Sequence, residues 1–497
     1  MQNSKLKLIR FLCLAGGLLQ FIFISINTEN DLVYACSPWL YIGFFLFYTR
    51  TVEKKSDWFF FVFVYLTVNE IRYAGFLGQT GEYFNLYSML LIVVVALVTL
   101  IPFVIDSFYL KFGKGIFKLL AFPITRVIME RFLVGRQFNL FLTQFGNKLL
   151  VQVAALFGDI FITFIVAFVP SAIVYMILGK DNKPFKRTAL LSLLFCTVIM
   201  VLGGMRYFLS KRPNKSVLMA YASGPQKTYY ENPSEDDADI SENLEYLDMT
   251  VEKANEKNAK VMVYAEEAFI VEGDEEDNII EEAKKLAKEN GIFILICLDV
   301  SKGETENYNK AVFIDDKGEF LSEYIKSYLI PVVEDSEYVE GDGVIPSNHV
   351  TIDGEDYVIS YSICYDATFS NYLLTMDKKT DLYINPSWDW EEIDDLNYRL
   401  QGVSAVEGGV TLFKPTVDGV SMVCDPFGKI SYKENTIGLD YNSVHFVNVS
   451  KQRTVTLYRH IYKYVIYLWS IIAGVLLIDM TRIIVKLVKR KKQEKLV

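Results

Sequence analysis

Residues 357–366 read Tyr357-Val-Ile-Ser-Tyr-Ser-Ile-Cys364-Tyr365-Asp366, an apolar run that stops at a thiol followed by a tyrosine and an acid. A short run of this kind, rich in β-branched and aromatic residues, predicts a buried strand of the sort that parallel sheets use. Comparable runs lie on both sides of it, at Val217–Ala222, Val261–Ala265, Ile292–Leu298, Ala311–Ile314 and Leu382–Asn385. Further strands are predicted at Gly419–Cys424, Ile430–Tyr432 and Val444–Val449, with Pro426-Phe-Gly-Lys429 as a turn. Helical patterns intervene at 237–257, 394–407 and 276–289, where Ile279, Ile280, Ala283 and Leu286 share one face. Strands alternating with helices over 213–450 predict an α/β domain large enough for its own core.

Charge separates this domain from the rest of the chain. Residues 231–450 hold 48 of the 60 acids but 16 of the 50 lysines and arginines, a net charge of −32 against +22 elsewhere. An acidic domain of this kind lacks the clustered cations that nucleic acid demands, so nucleic-acid binding is excluded. With 52% hydrophobic residues over 497 positions and a mean hydropathy of +0.23, the whole is too apolar for an ordinary soluble protein. Cys13, Cys36, Cys196, Cys297, Cys364 and Cys424 lie far apart, and His349, His445 and His460 are the only histidines. Neither a disulfide framework nor a zinc ribbon fits that spacing, and no metal ion and no cofactor is expected.

Apolar runs near bilayer-crossing length occur at 8–26, 32–49, 58–76, 86–105, 116–134, 149–178 and 188–209, and an eighth stands at 461–485. Arg126 and Glu130 interrupt the fifth, but at i, i+4 they fall on one helix face, where a structural pair or a headgroup contact is expected. The first run looks like an uncleaved anchor. Lys5, Lys7 and Arg10, then Arg50, Lys54 and Lys55, then Lys111 and Lys114, then Lys180, Lys183, Lys186 and Arg187 alternate with an acidic first loop at Glu29 and Asp31. Positive loops stay cytoplasmic, which predicts cytoplasmic termini and an acidic domain on the outer side. Lys211, Arg212 and Lys215 on that outer side are an exception, tolerable before a long domain. The predicted layout is a seven-helix membrane domain at 1–210, an α/β domain at 211–455, and a last helix with a basic tail at 456–497.

Three segments bring a reactive side chain to a strand end: Val263-Tyr-Ala-Glu266-Glu267-Ala268, Tyr324-Ile-Lys326 with Glu334 eight residues on, and Ser362-Ile-Cys364-Tyr365-Asp366. A carboxylate, an ammonium and a thiol suffice for acyl transfer, the first taking the thiol proton, the second holding an oxyanion, the third attacking a carbonyl. Each signal alone is weak. Buried cysteines are common, Lys326 could be a solvated charge, and Glu267 competes with Glu266.

Taken in this order, the three segments resemble the nitrilase, or carbon-nitrogen hydrolase, superfamily, which implies an αββα sandwich. Seven helices, such a domain and one last helix resemble the apolipoprotein N-acyltransferase family. Phe122–Glu130, Leu150–Gly158, Val217–Ala222 and Asp418–Gly428 are similar to that family's pattern. The resemblance implies Glu266 as base, Lys326 as oxyanion-stabilising cation and Cys364 as nucleophile. Glu334, Tyr365, Asp366 and Trp388 are then substrate-facing or positioning residues. It also implies a membrane phospholipid as acyl donor, a diacylglyceryl lipoprotein as acceptor, a bacterial cytoplasmic membrane as location, and a monomer. Lys326 is expected to lower the pKa of Cys364. Phe369–Leu374 and Trp388-Asp-Trp390 could line an acyl channel or dip into the membrane interface.

Ala265, Asp366 and Gly409 depart from the family pattern, where proline, glutamate and arginine are usual. The shorter Asp366 is expected to weaken a positioning hydrogen bond. Two other readings use the same residues: a membrane-tethered amidase that hydrolyses a small amide, and a non-catalytic binding scaffold.

Overall fold

The computed structural model describes residues 2–494 except 27–29, 79–85, 179–182, 212, 214, 225–239, 304–305, 332, 335–336, 390–393 and 441. Trp390 and Arg212 therefore lie outside the described residues. The chain divides into two compact units, residues 1–208 with 460–497, and residues 209–459.

The first unit is helical: α1 Gln2–Ile26, α2 Asp31–Thr51, α3 Lys55–Gly78, α4 Leu86–Phe112, α5 Phe117–Leu133, a short α6 Ala154–Phe157, α7 Asp159–Leu178 and α8 Lys183–Phe208. The last helix, Tyr458–Glu494, joins it, with Trp469 5.7 Å from Phe164 and the Leu476 carbonyl accepting from the Tyr109 hydroxyl at 3.0 Å. Among the described residues, α1, α2, α4, α7 and α8 contain stretches long and apolar enough to cross a membrane, at mean hydropathies of 1.4 to 2.5. Outward-facing Phe59, Leu97, Phe195 and Ile471 fit lipid rather than water as the surrounding solvent. This is a membrane unit.

Its interior charges are matched. Arg126 meets Glu130 at 2.6 Å as their i, i+4 spacing predicts, and the other Glu130 oxygen accepts from the Leu140 amide at 2.9 Å. Arg50 ties three helices together, donating to both Asp106 oxygens (2.8 and 2.9 Å) on α4 and to the Ser171 carbonyl (2.7 Å) on α7. The predicted continuous run 149–178 is not one helix. Gly158, at φ +81°, breaks it, and the preceding chain forms 3-10 turns and α6. Val151, Gln152 and Val153 are buried there, which is where irregular backbone survives in a membrane protein.

The second unit stacks two sheets. Its strands are β1 Val217–Ala222, β2 Val261–Tyr264, β3 Phe269–Glu272, β4 Phe293–Ser301, β5 Asn307–Ile314, β6 Phe320–Ile325, β7 Ser347–Ile352, β8 Glu355–Tyr361, β9 Leu382–Ile384, β10 Ser387–Trp388, β11 Thr411–Lys414, β12 Thr416–Val417, β13 Val420–Cys424, β14 Ile430–Asn435 and β15 His445–Val449. One sheet runs β15-β1-β2-β4-β5-β6, with β3 beside the end of β4, and the other runs β14-β13-β11-β9-β8-β7. Each has three parallel strands at its centre, β1-β2-β4 and β8-β9-β11, flanked by antiparallel ones.

Alternation along the strands assigns the two faces of the first sheet. Ala220, Met262, Ile294 and Val312 pack under helices Ile240–Glu256 and Glu275–Asn290, against Leu247, Val251, Ile279 and Ala283. Tyr221 and Phe313 point the other way and meet Phe413 and Tyr361 of the second sheet at 5.8 and 6.0 Å. Helix Asp394–Gly408 covers the second sheet's outer face, so the layers run αββα. Weakly patterned strands were missed by sequence. The edge strand β7 alternates buried and solvated residues, and β3, β11 and β12 are too short to show a period.

Candidate active site

Glu266, Lys326 and Cys364 follow β2, β6 and β8. Because β4 is parallel to β2, and β5 and then β6 each reverse direction, β6 runs the same way as β2, so Glu266 and Lys326 leave the same edge of the sheet. Cys364 leaves the centre of the other sheet at the carboxyl end of a parallel strand, where α/β folds place their sites.

Lys326 is fully buried and held by two carboxylates, Glu266 and Glu334, each at 2.6 Å. Glu266 is engaged through both oxygens: Oε1 also accepts from Asn309 Nδ2 at 2.9 Å, and Oε2 from the Trp388 amide at 2.7 Å. Asn309 donates to Glu267 as well, at 2.8 Å, and Glu334 accepts the Ile330 amide at 2.8 Å. Oxygens of Glu266, Glu267 and Glu334 lie within 4.8 Å of one another, and the cation among them is the Lys326 ammonium. Burial works against that charge, but Glu266, Cys364 and Glu334 outweigh it and raise the lysine well above its ordinary value. Burial and the neighbouring Glu266 push Glu267 well above the ordinary carboxylate range.

Cys364 sits at φ +36°, a conformation that costs a non-glycine residue on the order of 1–3 kcal/mol. Its amide donates to the Pro386 carbonyl at 2.8 Å, and its Sγ contacts the Trp388 carbonyl at 3.7 Å. The expected lowering of its pKa does not prevail. Burial and the charge of Glu266 raise the thiol well above 9.0, with Lys326 pulling only partly the other way. The resting group is a thiol, so attack requires a base.

Trp388 links the set, its amide on Glu266 and its carbonyl by Cys364. Asp366 is fully buried and does not touch Lys326 directly. It accepts from the Tyr324 hydroxyl (2.7 Å) and the amides of Tyr328 (2.8 Å), Ser327 (3.3 Å) and Ile363 (3.1 Å). The aspartate thus reaches both the turn after Lys326 and the turn before Cys364. Tyr365 is half-buried against Phe369, whose ring stacks on Tyr328 at 4.1 Å, while Leu373 and Leu374 are core.

The other departures also have causes. The Ala265 amide donates to the Ala222 carbonyl at 2.9 Å, a bond proline cannot make. Gly409 has φ +69°, and a Cβ there would lie 2.2 Å from the Thr454 carbonyl, so no side chain fits. Sequence reasoning passed over Asn309, and also Asp389, whose ion pair with Lys414 at 2.5 Å is fully buried directly after Trp388. Their only signal was a polar residue inside an apolar strand context.

A cavity of about 210 Å3 opens on this cluster, lined by Glu266, Glu267, Val333, Glu334, Glu337 and Trp388 among others. Residues 225–439 match the family described as carbon-nitrogen hydrolase. The chain is 25% identical over 321 residues to the apolipoprotein N-acyltransferase of Rickettsia typhi, covering 59% of this chain and 62% of that protein. Against the protein of the same name from Rickettsia prowazekii it is 25% identical, covering 62% and 65%. The chain thus spans less than two thirds of the curated relatives it matches. An amidase from Nesterenkonia sp. aligns with TM-score 0.40 and 19% identity over 48% of this chain and 91% of its own. By these matches, residues 225–439 resemble a carbon-nitrogen hydrolase domain, and the chain is similar to the apolipoprotein N-acyltransferases.

Proposed function

We propose that this protein is a membrane acyltransferase that N-acylates lipoproteins through a thioester on Cys364. The observation that carries the reading is the buried Lys326 ammonium, fixed between Glu266 and Glu334 and within electrostatic reach of Cys364. Glu266 takes the thiol proton as Sγ attacks an ester carbonyl of a phospholipid. An ammonium has three N–H donors, and beyond the two given to carboxylates one remains for the developing oxyanion. Collapse breaks the ester bond, the lysophospholipid oxygen takes the proton back from Glu266, and the acyl group stays on sulfur. A neutral α-amine of a diacylglyceryl-cysteine then attacks the thioester, Glu266 takes its proton, and the amide leaves as Cys364 regains its hydrogen.

The acidic cavity mouth supports an amine acceptor, since Glu334 and Glu337 attract a cation before it gives up its proton. The relatives' names support N-acyl transfer to an apolipoprotein, and the apolar helices of the membrane unit support a lipid donor. Alternating loop charge supports cytoplasmic termini with the α/β unit on the outer face of a bacterial membrane. The amidase reading uses water in place of the amine. Intact mass decides between them: purified protein given phospholipid gains a hydroxylamine-labile acyl mass, the Cys364→Ala variant gains none, and a diacylated lipopeptide discharges it. Turnover of a soluble amide with no acyl mass from lipid overturns the transferase.

A further inference from the structure

The membrane unit carries a second cleft, of about 780 Å3, where α2 ends, α3 begins and the last turn of α4 comes alongside. Its walls bear Lys54, Lys55 and Lys111, all exposed, with Trp58 and Phe59 beside them and the Arg50 guanidinium at its base. Glu53 is the acid among the described lining residues, and it is directed to Arg10 at 3.7 Å. The cations thus outnumber the acid, and α3 adds the positive end of its dipole at Lys55.

The cleft is built rather than incidental. Arg50 anchors its floor by bonding Asp106 and Ser171, and the Tyr48 hydroxyl donates to the Asp57 carbonyl at 3.2 Å, pinning α2 to the first turn of α3. Ser107 Oγ, also in the lining, is buried without a hydrogen-bond partner among the described residues. Phe59 is 75% exposed on a helix of the membrane unit, and tryptophan beside it is the side chain favoured at headgroup level. A free anion would use the lysines but not this apolar wall.

We propose that this cleft binds the headgroup of an anionic phospholipid, its phosphate between Lys54, Lys55 and Lys111 and its chains along Phe59 and Val62. Basic pockets between membrane helices recognise such headgroups, and each lysine near the phosphate is worth about fivefold in affinity. The site is separate from Cys364 and does not depend on the acyl-transfer reading.

The full-length protein in detergent, titrated with phosphatidylglycerol and phosphatidylcholine and read by native mass spectrometry, tests it. One saturable phosphatidylglycerol per chain is expected, retained where phosphatidylcholine is lost. Lys54→Ala with Lys55→Ala and Lys111→Ala weakens it at least about tenfold, while Lys486→Ala with Lys489→Ala leaves it unchanged. Ser107→Leu, which narrows the cleft without touching a charge, also weakens it. Equal retention of both lipids, a triple variant that binds like the parent, or displacement of the lipid by millimolar inorganic phosphate overturns the proposal.

Discussion

At the residue scale, Lys326 carries the most consequence, because a fully buried ammonium between two carboxylates has no neutral substitute. Lys326→Met leaves Glu266 and Glu334 facing each other in a buried site, with an expected cost of about 3–5 kcal/mol. Acylation of Cys364 should fall by about 10²–10³. A variant that melts like the parent and acylates within about tenfold of it would remove Lys326 from the proposed chemistry. Asp366 offers a pH test. Burial pushes its carboxyl from 3.8 to about 7, against the Tyr324 hydroxyl, Lys326 and two backbone amides. The native state therefore keeps a proton that the unfolded chain releases between 3.8 and about 7, and the stability this group contributes is full below that window and lost as pH rises through it. Thermal midpoints across that range should fall more for the parent than for Asp366→Asn, and parallel curves would refute the assignment. The sequence showed these residues but not their state. Cys364 was visible as a thiol after a strand, whereas its raised pKa depends on burial and on Glu266, neither of which strand spacing contains.

At the scale of elements, β10 and the turn after it hold the site together, because Trp388 grips Glu266 with its amide and faces Cys364 with its carbonyl. The next residue fixes that strand: Asp389 bonds Lys414 of β11 at 2.5 Å and Asn397 of helix Asp394–Gly408 at 2.8 Å. Lys414→Met strands a buried carboxylate there, with an expected loss of about 3–5 kcal/mol. Because the displacement passes through Trp388, acylation should slow as well, and Lys414→Arg should recover part of both. Retained acylation in a destabilised Lys414→Met would make the pair purely structural. Gly419 reports on the same contact from the other side, since a Cβ would lie 2.5 Å from the Asp389 Cβ. Gly419→Ala is expected to lower stability by about 1–3 kcal/mol, measured as a drop in melting midpoint. Central strands and the three domain helices were legible because burial on both faces, or along one stripe, writes a period into the sequence. Edge strand β7 and short β10 were not, since half their residues answer to water or to the site.

Across the whole molecule, charge and hydropathy separate a basic apolar part from an acidic one, and the chain divides into two compact units, residues 1–208 with 460–497 and residues 209–459. The break at Gly158 was not legible in the sequence, because 3-10 turns buried in a membrane unit are as apolar as helix. Cohesion of the membrane unit rests on a few interior charges. Arg50→Leu abandons Asp106 in a fully buried position and uncouples α2 from α4 and α7, which should lower the melting midpoint sharply. Asp106→Asn with Arg50→Gln should restore part of it, and additive losses instead would show that the two side chains act independently. The carboxyl cluster around Lys326 has a further effect. With more acid than base converging on the cavity, the site would sort its visitors by sign. Under the proposed acyl transfer, a lipid phosphate would be held away from the cluster both before and after its ester breaks, whereas a protonated amine would be drawn in. The two substrates of that proposal would then be told apart by the sign of their charge.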